Sequence, residues 1–194
     1  MKLIIGISGA TGAIFGVRLL EILRDVEDVE THLVMSNWAK TTIIEETNYS
    51  VAEVQSLADY QYSPKDLGAA ISSGSFHIDG MIVAPCSMKS LASISIGLAD
   101  NLITRAADVM LKESKKIVLM TRETPLNQIH LENMLKLSQM GVTIFPPMPA
   151  FYNHPKDLAD MIDHIIYRLI AQFGIDQLPQ EKVWTGFSNK AQHI

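Results

Sequence analysis

Short apolar runs recur along the chain, each four or five residues long and rich in Ile, Val and Leu. Continuous rather than alternating apolarity is typical of strands that are buried on both faces, as they are in parallel sheets. We therefore predict five strands, at Leu3–Ile7, His32–Met35, Met81–Ala84, Ile117–Met120 and Val142–Phe145.

Amphipathic stretches lie between these strands and predict helices. The last of them carries its apolar residues at alternating spacings of three and one, which places them in one stripe on a helix. We expect Asp100 to be the N-cap of one helix and Gly141 to end another. The predicted helices are Ala13–Leu23, Asn101–Lys112, Leu131–Met140 and Lys156–Phe173.

Alternating strands and helices with right-handed crossovers predict an α/β fold, with three α/β/α layers around a parallel sheet. The 194 residues suit a single domain over 1–194, with an irregular C-terminal tail from about 175 to 194. We expect a long loop at Ser63–Gly80 and a rigid connector at Pro146–Pro149.

Charge and cysteine content narrow the class of protein. A net charge of −5 and a pI near 5.6 argue against a nucleic-acid partner, which requires a basic surface. A single cysteine, Cys86, excludes an intrachain disulfide and fits a reducing compartment. Neither a signal peptide nor an apolar run of about 20 residues is present. We predict a cytoplasmic protein without a membrane span. We also predict no metal site, because the histidines are not spaced as metal ligands.

The segment Gly6–Gly12 follows the first strand and precedes the first helix, with the spacing G-x-x-G-x-x-G. Glycines allow a tight turn and a close approach to a ligand, and the helix N-terminus offers unpaired N–H donors to a phosphate. The spacing differs from the dinucleotide pattern G-x-G-x-x-G, which weakens an NAD interpretation. Two interpretations of this segment stay open: it binds a nucleotide-type ligand, or it is a tight strand–helix turn without a ligand.

Other strand ends carry polar residues, and ligands of open α/β sheets lie beyond the carboxyl ends of strands. Ser36 either reaches the ligand or simply caps a helix. Ser87–Ser90 offer hydroxyl and N–H groups at another helix start. Cys86 has no basic neighbour in sequence and is interpreted as a small buried hydrophobe.

Arginines are the second group of candidates. Arg122 follows the fourth predicted strand and either faces the crevice, where its planar fork suits phosphate, or pairs with Glu123 on the surface. Arg105 and Asp108 are expected to pair along a helix. Tyr152 and Arg168 would lie about 20 Å apart on one helix. A joint site therefore requires Tyr152 to fold back, or the two residues to come from different subunits.

Taken together, these segments resemble the UbiX family of flavin prenyltransferases, long labelled aromatic acid decarboxylases, from about residue 2 to residue 173. The segments that carry the resemblance are Gly6–Gly12, Pro85–Ser90, Asn101–Asp108, Arg122–Pro125, Ile129–Leu135 and Phe151-Tyr152. The resemblance implies a Rossmann-like, flavodoxin-class fold and a large homo-oligomer, commonly a dodecamer.

The resemblance also implies which residues act. It assigns FMN to Gly9, Ala10, Thr11, Ser36, Ser87, Met88, Lys89, Ser90 and Arg122. It assigns dimethylallyl monophosphate to Tyr152 and Arg168, with Lys112 and Glu123 alongside. Glu46 matches a carboxylate used in proton handling, and Trp184 an aromatic near the prenyl group. Thr11 stands where the family often has serine, which keeps the hydroxyl but adds a methyl close to the flavin.

The reaction implied is transfer of a dimethylallyl group to reduced FMN, first at N5 and then at C6, which makes prenylated FMN for a separate UbiD-type decarboxylase. Three rivals stay open: a flavin-dependent cysteine decarboxylase, a direct aromatic acid decarboxylase and a non-enzymatic FMN carrier. The first shares the fold but uses a Pro-x-Met-Asn clamp, and Pro146–Pro149 lacks the asparagine.

Overall fold

The computed structural model describes residues 1–177, 179, 183, 184 and 186, and the chain divides into two compact units, Met1–Pro147 and Met148–Ile194. The boundary falls inside the predicted proline connector. That the whole chain is one domain stays a prediction, and most of the expected tail lies outside the described residues.

The first unit contains a six-stranded, all-parallel sheet with the spatial order β3-β2-β1-β4-β5-β6. The strands are β1 Lys2–Ile7, β2 Glu30–Met35, β3 Tyr60–Tyr62, β4 Gly80–Cys86, β5 Lys116–Thr121 and β6 Thr143–Ile144. The five predicted strands are confirmed, the last one shortened to two residues. Strand β3 was not predicted because its first two residues are exposed and it has no apolar run.

Helices connect these strands. In the first unit they are α1 Ala13–Arg24, α2 Asn37–Glu46, α3 Val51–Ser56, α4 Met88–Ile96, α5 Leu102–Lys112 and α6 Gln128–Gln139, and in the second α7 Leu158–Ile170. The four predicted helices are confirmed with shifted bounds. Short 3₁₀ helices lie at Ala70–Ser72, within the expected long loop, and at Ala171–Phe173.

One predicted cap is wrong and the other is right. Asn101, not Asp100, caps α5, since its Oδ1 accepts hydrogen bonds from the amides of Ile103 at 3.0 Å and Thr104 at 3.2 Å. Asp100 Oδ1 instead accepts a hydrogen bond from the side-chain amide of Asn101 (Nδ2) at 2.7 Å. Gly141 follows α6 with φ of 87°, the left-handed conformation that ends many helices.

The sheet is covered on both faces, as continuous apolar runs require. On one face Ile4, Val34, Met81 and Val83 pack with buried residues of α4 and α5. On the other, α1 approaches the sheet so closely that a Cβ on Gly16 would lie 2.5 Å from the Ala84 carbonyl oxygen and 2.8 Å from Ile7 Cδ1. The predicted Rossmann-like three-layer fold is confirmed.

This close approach predicts the effect of Gly16→Ala. Replacing glycine by alanine in a helix interior normally raises the free energy of unfolding by about 1 kcal/mol. Here the methyl must displace a backbone carbonyl, and we expect the variant to lose about 1–3 kcal/mol of unfolding free energy. Urea denaturation measures this. Gly68→Ala is the control, because its Cβ would meet its nearest neighbour at 3.6 Å. A Gly16→Ala protein as stable as the wild type would contradict the packing described.

Candidate functional site

A cavity of about 750 Å³ opens at the carboxyl edge of the sheet in the first unit. It lies where β1 and β4 are neighbours and their onward connections lead to opposite sides, the switch point at which ligands of such sheets bind. Its lining residues are Gly9, Ser36, Asn37, Trp38, Pro64, Lys65, Ser87, Met88, Lys89, Ser90, Ser93, Asp100, Asn101, Ile103 and Glu123.

The N-caps of three helices line this cavity: Ser36 of α2, Ser87 of α4 and Asn101 of α5. Each helix N-terminus carries a partial positive charge and amides without intrahelical partners. Lys65 and Lys89 add full positive charges. The cavity therefore suits a ligand with an anionic group and several hydrogen-bond acceptors.

Several of the predicted residues meet here. The cavity brings together Gly9, Ser36, Ser87–Ser90 and Glu123 from segments far apart in sequence. The capping alternative for Ser36 is confirmed, because its Oγ accepts a hydrogen bond from the Ala39 amide at 3.0 Å. The residue also lines the cavity, and its contact with a ligand stays a prediction.

Other lining residues were missed. Pro64 and Lys65 follow β3, and a strand that is not predicted leaves its carboxyl end unplaced. Trp38 lies in the first turn of α2, whose start was expected only as one alternative for Ser36, and is 72% exposed. A Cβ on Gly9 would lie 2.3 Å from Trp38 Cβ, so this glycine is required by the close approach of α2. In the sequence, a tryptophan three residues after the end of the second predicted strand is the signal that could have identified Trp38 as a site residue.

The glycine-rich turn is arranged differently from expectation. Glu46, the last residue of α2, accepts hydrogen bonds from the amides of Gly12 at 2.7 Å and Ala13 at 3.0 Å. Gly12 is the N-cap of α1 and has no side chain to cap it. Glu46 therefore caps α1 from a different helix and uses two of the amides expected to hold a phosphate.

The surroundings of Glu46 keep it ionised. Burial raises the pKa of its carboxyl group, but hydrogen bonds from the Thr11 hydroxyl and the Ala13 and Gly12 amides, together with the positive charge of Arg122, outweigh burial and lower the pKa. Thr11, Glu46 and Arg122 thus act on one another beside the start of α1.

Arg122 follows β5, and its amide donates to the Cys86 carbonyl at 3.2 Å. Glu123, the alternative surface partner, accepts a bond from the Thr124 amide at 3.1 Å and lines the cavity. The expected Arg105–Asp108 pair is present at 2.7 Å. Cys86 is fully buried, which confirms its interpretation as a small buried hydrophobe, and burial raises the pKa of its thiol to about 12.

Lys112 is not brought to this cavity. It ends α5 and pairs with Glu113 at 2.5 Å, whereas the other end of α5 lines the cavity. Eleven helical residues separate the two ends by about 15 Å.

In the second unit Tyr152 folds back along α7. Its ring meets His164 edge-on, with centroids 5.8 Å apart and 3.4 Å between Oη and Nε2. His164 precedes Arg168 by one helical turn, on the same face. Trp184 lies against Tyr152 with ring centroids 5.4 Å apart. Tyr152 therefore contacts α7 about one turn before Arg168, and a joint site of the two residues stays a prediction.

The residues fit a flavin nucleotide. The cavity has the size of a small-molecule site, and hydroxyls, helix N-termini and cations surround it. The hydroxyl of Thr121, next to Arg122 at the end of β5, is buried and has no hydrogen-bond partner among the residues described.

The described residues include no group of three or more His, Cys, Asp or Glu side chains placed to hold a metal ion. Within them no helix has the length and apolarity to cross a membrane.

Comparison with known families gives the class of protein. The family model described as Flavoprotein matches residues 1–167. The chain therefore belongs to the flavoprotein family.

Individual relatives narrow this to the UbiX-like flavin prenyltransferases. A probable UbiX-like flavin prenyltransferase of Bacillus subtilis is 66% identical over 98% of this chain and 92% of its own length. A dodecameric FMN-dependent UbiX-like decarboxylase from Escherichia coli O157:H7 is 59% identical, with a TM-score of 0.93 over 96% of this chain and 100% of its own. AnUbiX (PadA1), solved in complex with FMN and dimethylallyl pyrophosphate, is 48% identical, with a TM-score of 0.92 over 96% of this chain and 98% of its own.

The capping role of Glu46 can be tested with Glu46→Gln. A carboxyl group whose pKa is lowered by folding stabilises the protein above its unfolded-state pKa, and this contribution is lost as the pH falls through the folded-state pKa. We expect the variant to lose about 0.5–1 kcal/mol at neutral pH, a small value because Glu46 is exposed to solvent. As the pH falls below the lowered pKa of Glu46, the two proteins should converge.

Urea denaturation across this pH range measures the difference. Glu45→Gln is the matched control, since Glu45 is the adjacent exposed carboxylate on α2, and it should leave the neutral-pH stability within about 0.5 kcal/mol of wild type. Equal losses in both variants would show that charge on α2, and not the cap, is responsible.

Proposed function

We propose that this protein is a flavin prenyltransferase, which transfers a dimethylallyl group from dimethylallyl monophosphate to reduced FMN, at N5 and then at C6. The observation that carries the proposal is the cavity at the β1–β4 switch point, lined by three helix N-termini, in a chain with 66% identity to a probable UbiX-like flavin prenyltransferase. Reduced FMN is the nucleophilic acceptor in this reaction.

FMN is proposed to bind in the cavity through Gly9, Ala10, Thr11, Ser36, Ser87–Ser90 and Arg122. The first turns of α2 and α4 supply amides and positive dipole ends. Ser36, Ser87 and Ser90 supply hydroxyls, and Arg122 supplies a planar cation at the next strand end. The buried, unpartnered hydroxyl of Thr121 supports a polar ligand beside Arg122.

The prenyl donor is proposed to contact Tyr152 and Arg168, with Lys112 and Glu123 alongside. Phosphate must leave an allylic carbon, so cations at its oxygens stabilise the charge that develops as the bond breaks. The faces of Tyr152 and Trp184 are electron-rich and suit an allylic cation. Holding donor and acceptor in line supplies a further large part of the rate.

Glu46 is proposed as the proton acceptor. Its pKa lies below the ordinary carboxyl value, so at neutral pH it accepts a proton rather than donates one. Thr11, hydrogen-bonded to Glu46, keeps the hydroxyl of the serine often found in the family. The additional methyl would lie close to the flavin.

The proposed assembly is a large homo-oligomer, as in the dodecameric relative from E. coli O157:H7. Lys112 supports this, because it lies at the far end of α5 from its own cavity and would serve a neighbouring one. We also propose a cytoplasmic location and a UbiD-type decarboxylase that uses the prenylated FMN. A cysteine decarboxylase is disfavoured because Pro146–Pro149 lacks the asparagine of that clamp.

The direct test of this function is a change in flavin mass. Anaerobic incubation of the purified protein with reduced FMN and dimethylallyl monophosphate should give a flavin heavier by one prenyl unit in mass spectrometry. Protein without the donor is the control. Bound FMN of unchanged mass would leave a non-enzymatic carrier, and release of carbon dioxide from an aromatic acid without mass change would favour the decarboxylase.

Arg168→Ala separates the two substrates. We expect FMN affinity to stay within about twofold, while turnover falls roughly 100- to 1,000-fold, the usual cost of one group that stabilises developing charge. FMN titration and the prenylation assay measure the two effects. Lys156→Ala, an exposed cation of the same unit, should retain both. Loss of FMN from Arg168→Ala would move this arginine to the flavin site.

A further inference from the structure

The hydroxyl of Ser8 connects the two central strand ends of the sheet. Ser8 directly follows β1 and is 1% exposed. Its Oγ donates a hydrogen bond to the Pro85 carbonyl at 2.9 Å and accepts one from the Ser87 amide at 2.8 Å. The Ser8 amide also donates to the Pro85 carbonyl, at 3.2 Å. Three hydrogen bonds thus join the segment after β1 to the end of β4 and the residue that follows it.

These bonds begin where the strand ladder stops. The last pair of the β1–β4 ladder is Gly6 with Val83, and an irregularity in β4 follows Val83. Beyond that pair the relative position of the two segments depends on other contacts. Ser8 supplies them with both its backbone and its side chain.

The residues held by Ser8 form the wall of the cavity. Ser87 is the N-cap of α4, and its Oγ accepts from the Ser90 amide at 3.3 Å and donates to Ser90 Oγ at 3.2 Å. On the other side, the Ser8 carbonyl accepts from the Ala10 amide at 2.9 Å. Gly9, Ser87 and Ser90 line the cavity, and Ser8 lies between their segments without lining it.

We propose that Ser8 is a positioning residue for the flavin site, an inference that rests on the proposed function. Its hydroxyl fixes the first turn of α4 relative to the glycine-rich turn, so that both present their amides and hydroxyls to the same ligand. Without it the Ser87 amide loses its acceptor, and α4 can start in a different position. Preorganisation of this kind affects ligand affinity as well as stability.

The test uses Ser8→Ala and the hydroxyl-retaining Ser8→Thr in the full-length protein. Ser8→Ala removes both hydrogen bonds of the hydroxyl. We expect it to raise the Kd for FMN about three- to tenfold, a net effect equivalent to about one neutral hydrogen bond. Ser8→Thr should bind FMN within about twofold of wild type. In the ligand-free protein the Ser87 amide should exchange its hydrogen at least about tenfold faster in Ser8→Ala only. Quenching of FMN fluorescence and exchange mass spectrometry give the two readouts.

Ser95→Ala is the matched control for a merely structural loss. Ser95 is 3% exposed on the same helix and does not line the cavity. Its Oγ lies 2.8 Å from the Ala92 carbonyl oxygen and 2.6 Å from Asn133 Oδ1, and its one hydrogen is shared between these two acceptors. This variant should lose stability while FMN affinity and Ser87 exchange stay unchanged. If Ser8→Ala does not fold, Ser8→Cys replaces it, because sulfur fills the space but bonds weakly.

Three outcomes would overturn the inference: wild-type FMN affinity in folded Ser8→Ala or Ser8→Cys, equal loss of affinity in Ser95→Ala, or failure of a folded Ser8→Thr to restore binding. Wild-type protein that takes up no FMN would instead contradict the proposed function. In that case the exchange of the Ser87 amide alone decides whether Ser8 positions α4.

Discussion

The pairing of β1 with β4 at the centre of the sheet is the constraint on which the candidate site depends. From β1 the chain continues toward β2 and β3, and from β4 toward β5 and β6. A crevice therefore opens between the segments that follow β1 and β4. Because all strands are parallel, the helices that follow them begin at this edge. Beyond the last pair of the β1–β4 ladder, the hydrogen bonds of Ser8 hold the segments that follow β1 and β4 together.

Electrostatics divide the helix starts at this edge into two kinds. The start of α1 is neutralised by the carboxylate of Glu46, whereas the starts of α2, α4 and α5 face the cavity. A phosphate at α1 would have to compete with this carboxylate and be repelled by it. The anionic part of a ligand is better placed at the other helix starts and the cations beside them. The glycine-rich turn predicted the right region, but the amides of Gly12 and Ala13 donate to Glu46.

The sequence predicted the buried parts of the fold and missed parts near the surface. The Ile, Val and Leu runs of β1, β2, β4 and β5 and the apolar stripe of α7 reflect burial, which the pattern records directly. Strand β3 has no such run, so Pro64 and Lys65 were not placed at the cavity. Asp100 and Asn101 are both good caps, and only the conformation decides between them. The return of Tyr152 onto α7 follows from loop geometry, which residue types do not encode.

The two ends of α5 connect the proposed chemistry to assembly. Its N-terminal cap, Asn101, lines the cavity of its own chain, while Lys112 lies about 15 Å away at the other end, paired with Glu113. If Lys112 helps to neutralise the leaving phosphate, as proposed, we expect it to do so in a neighbouring copy, where Glu113 would compete for its charge. Flavin binding would then need one chain and prenyl transfer more than one, so that the oligomer would be part of the catalytic machinery.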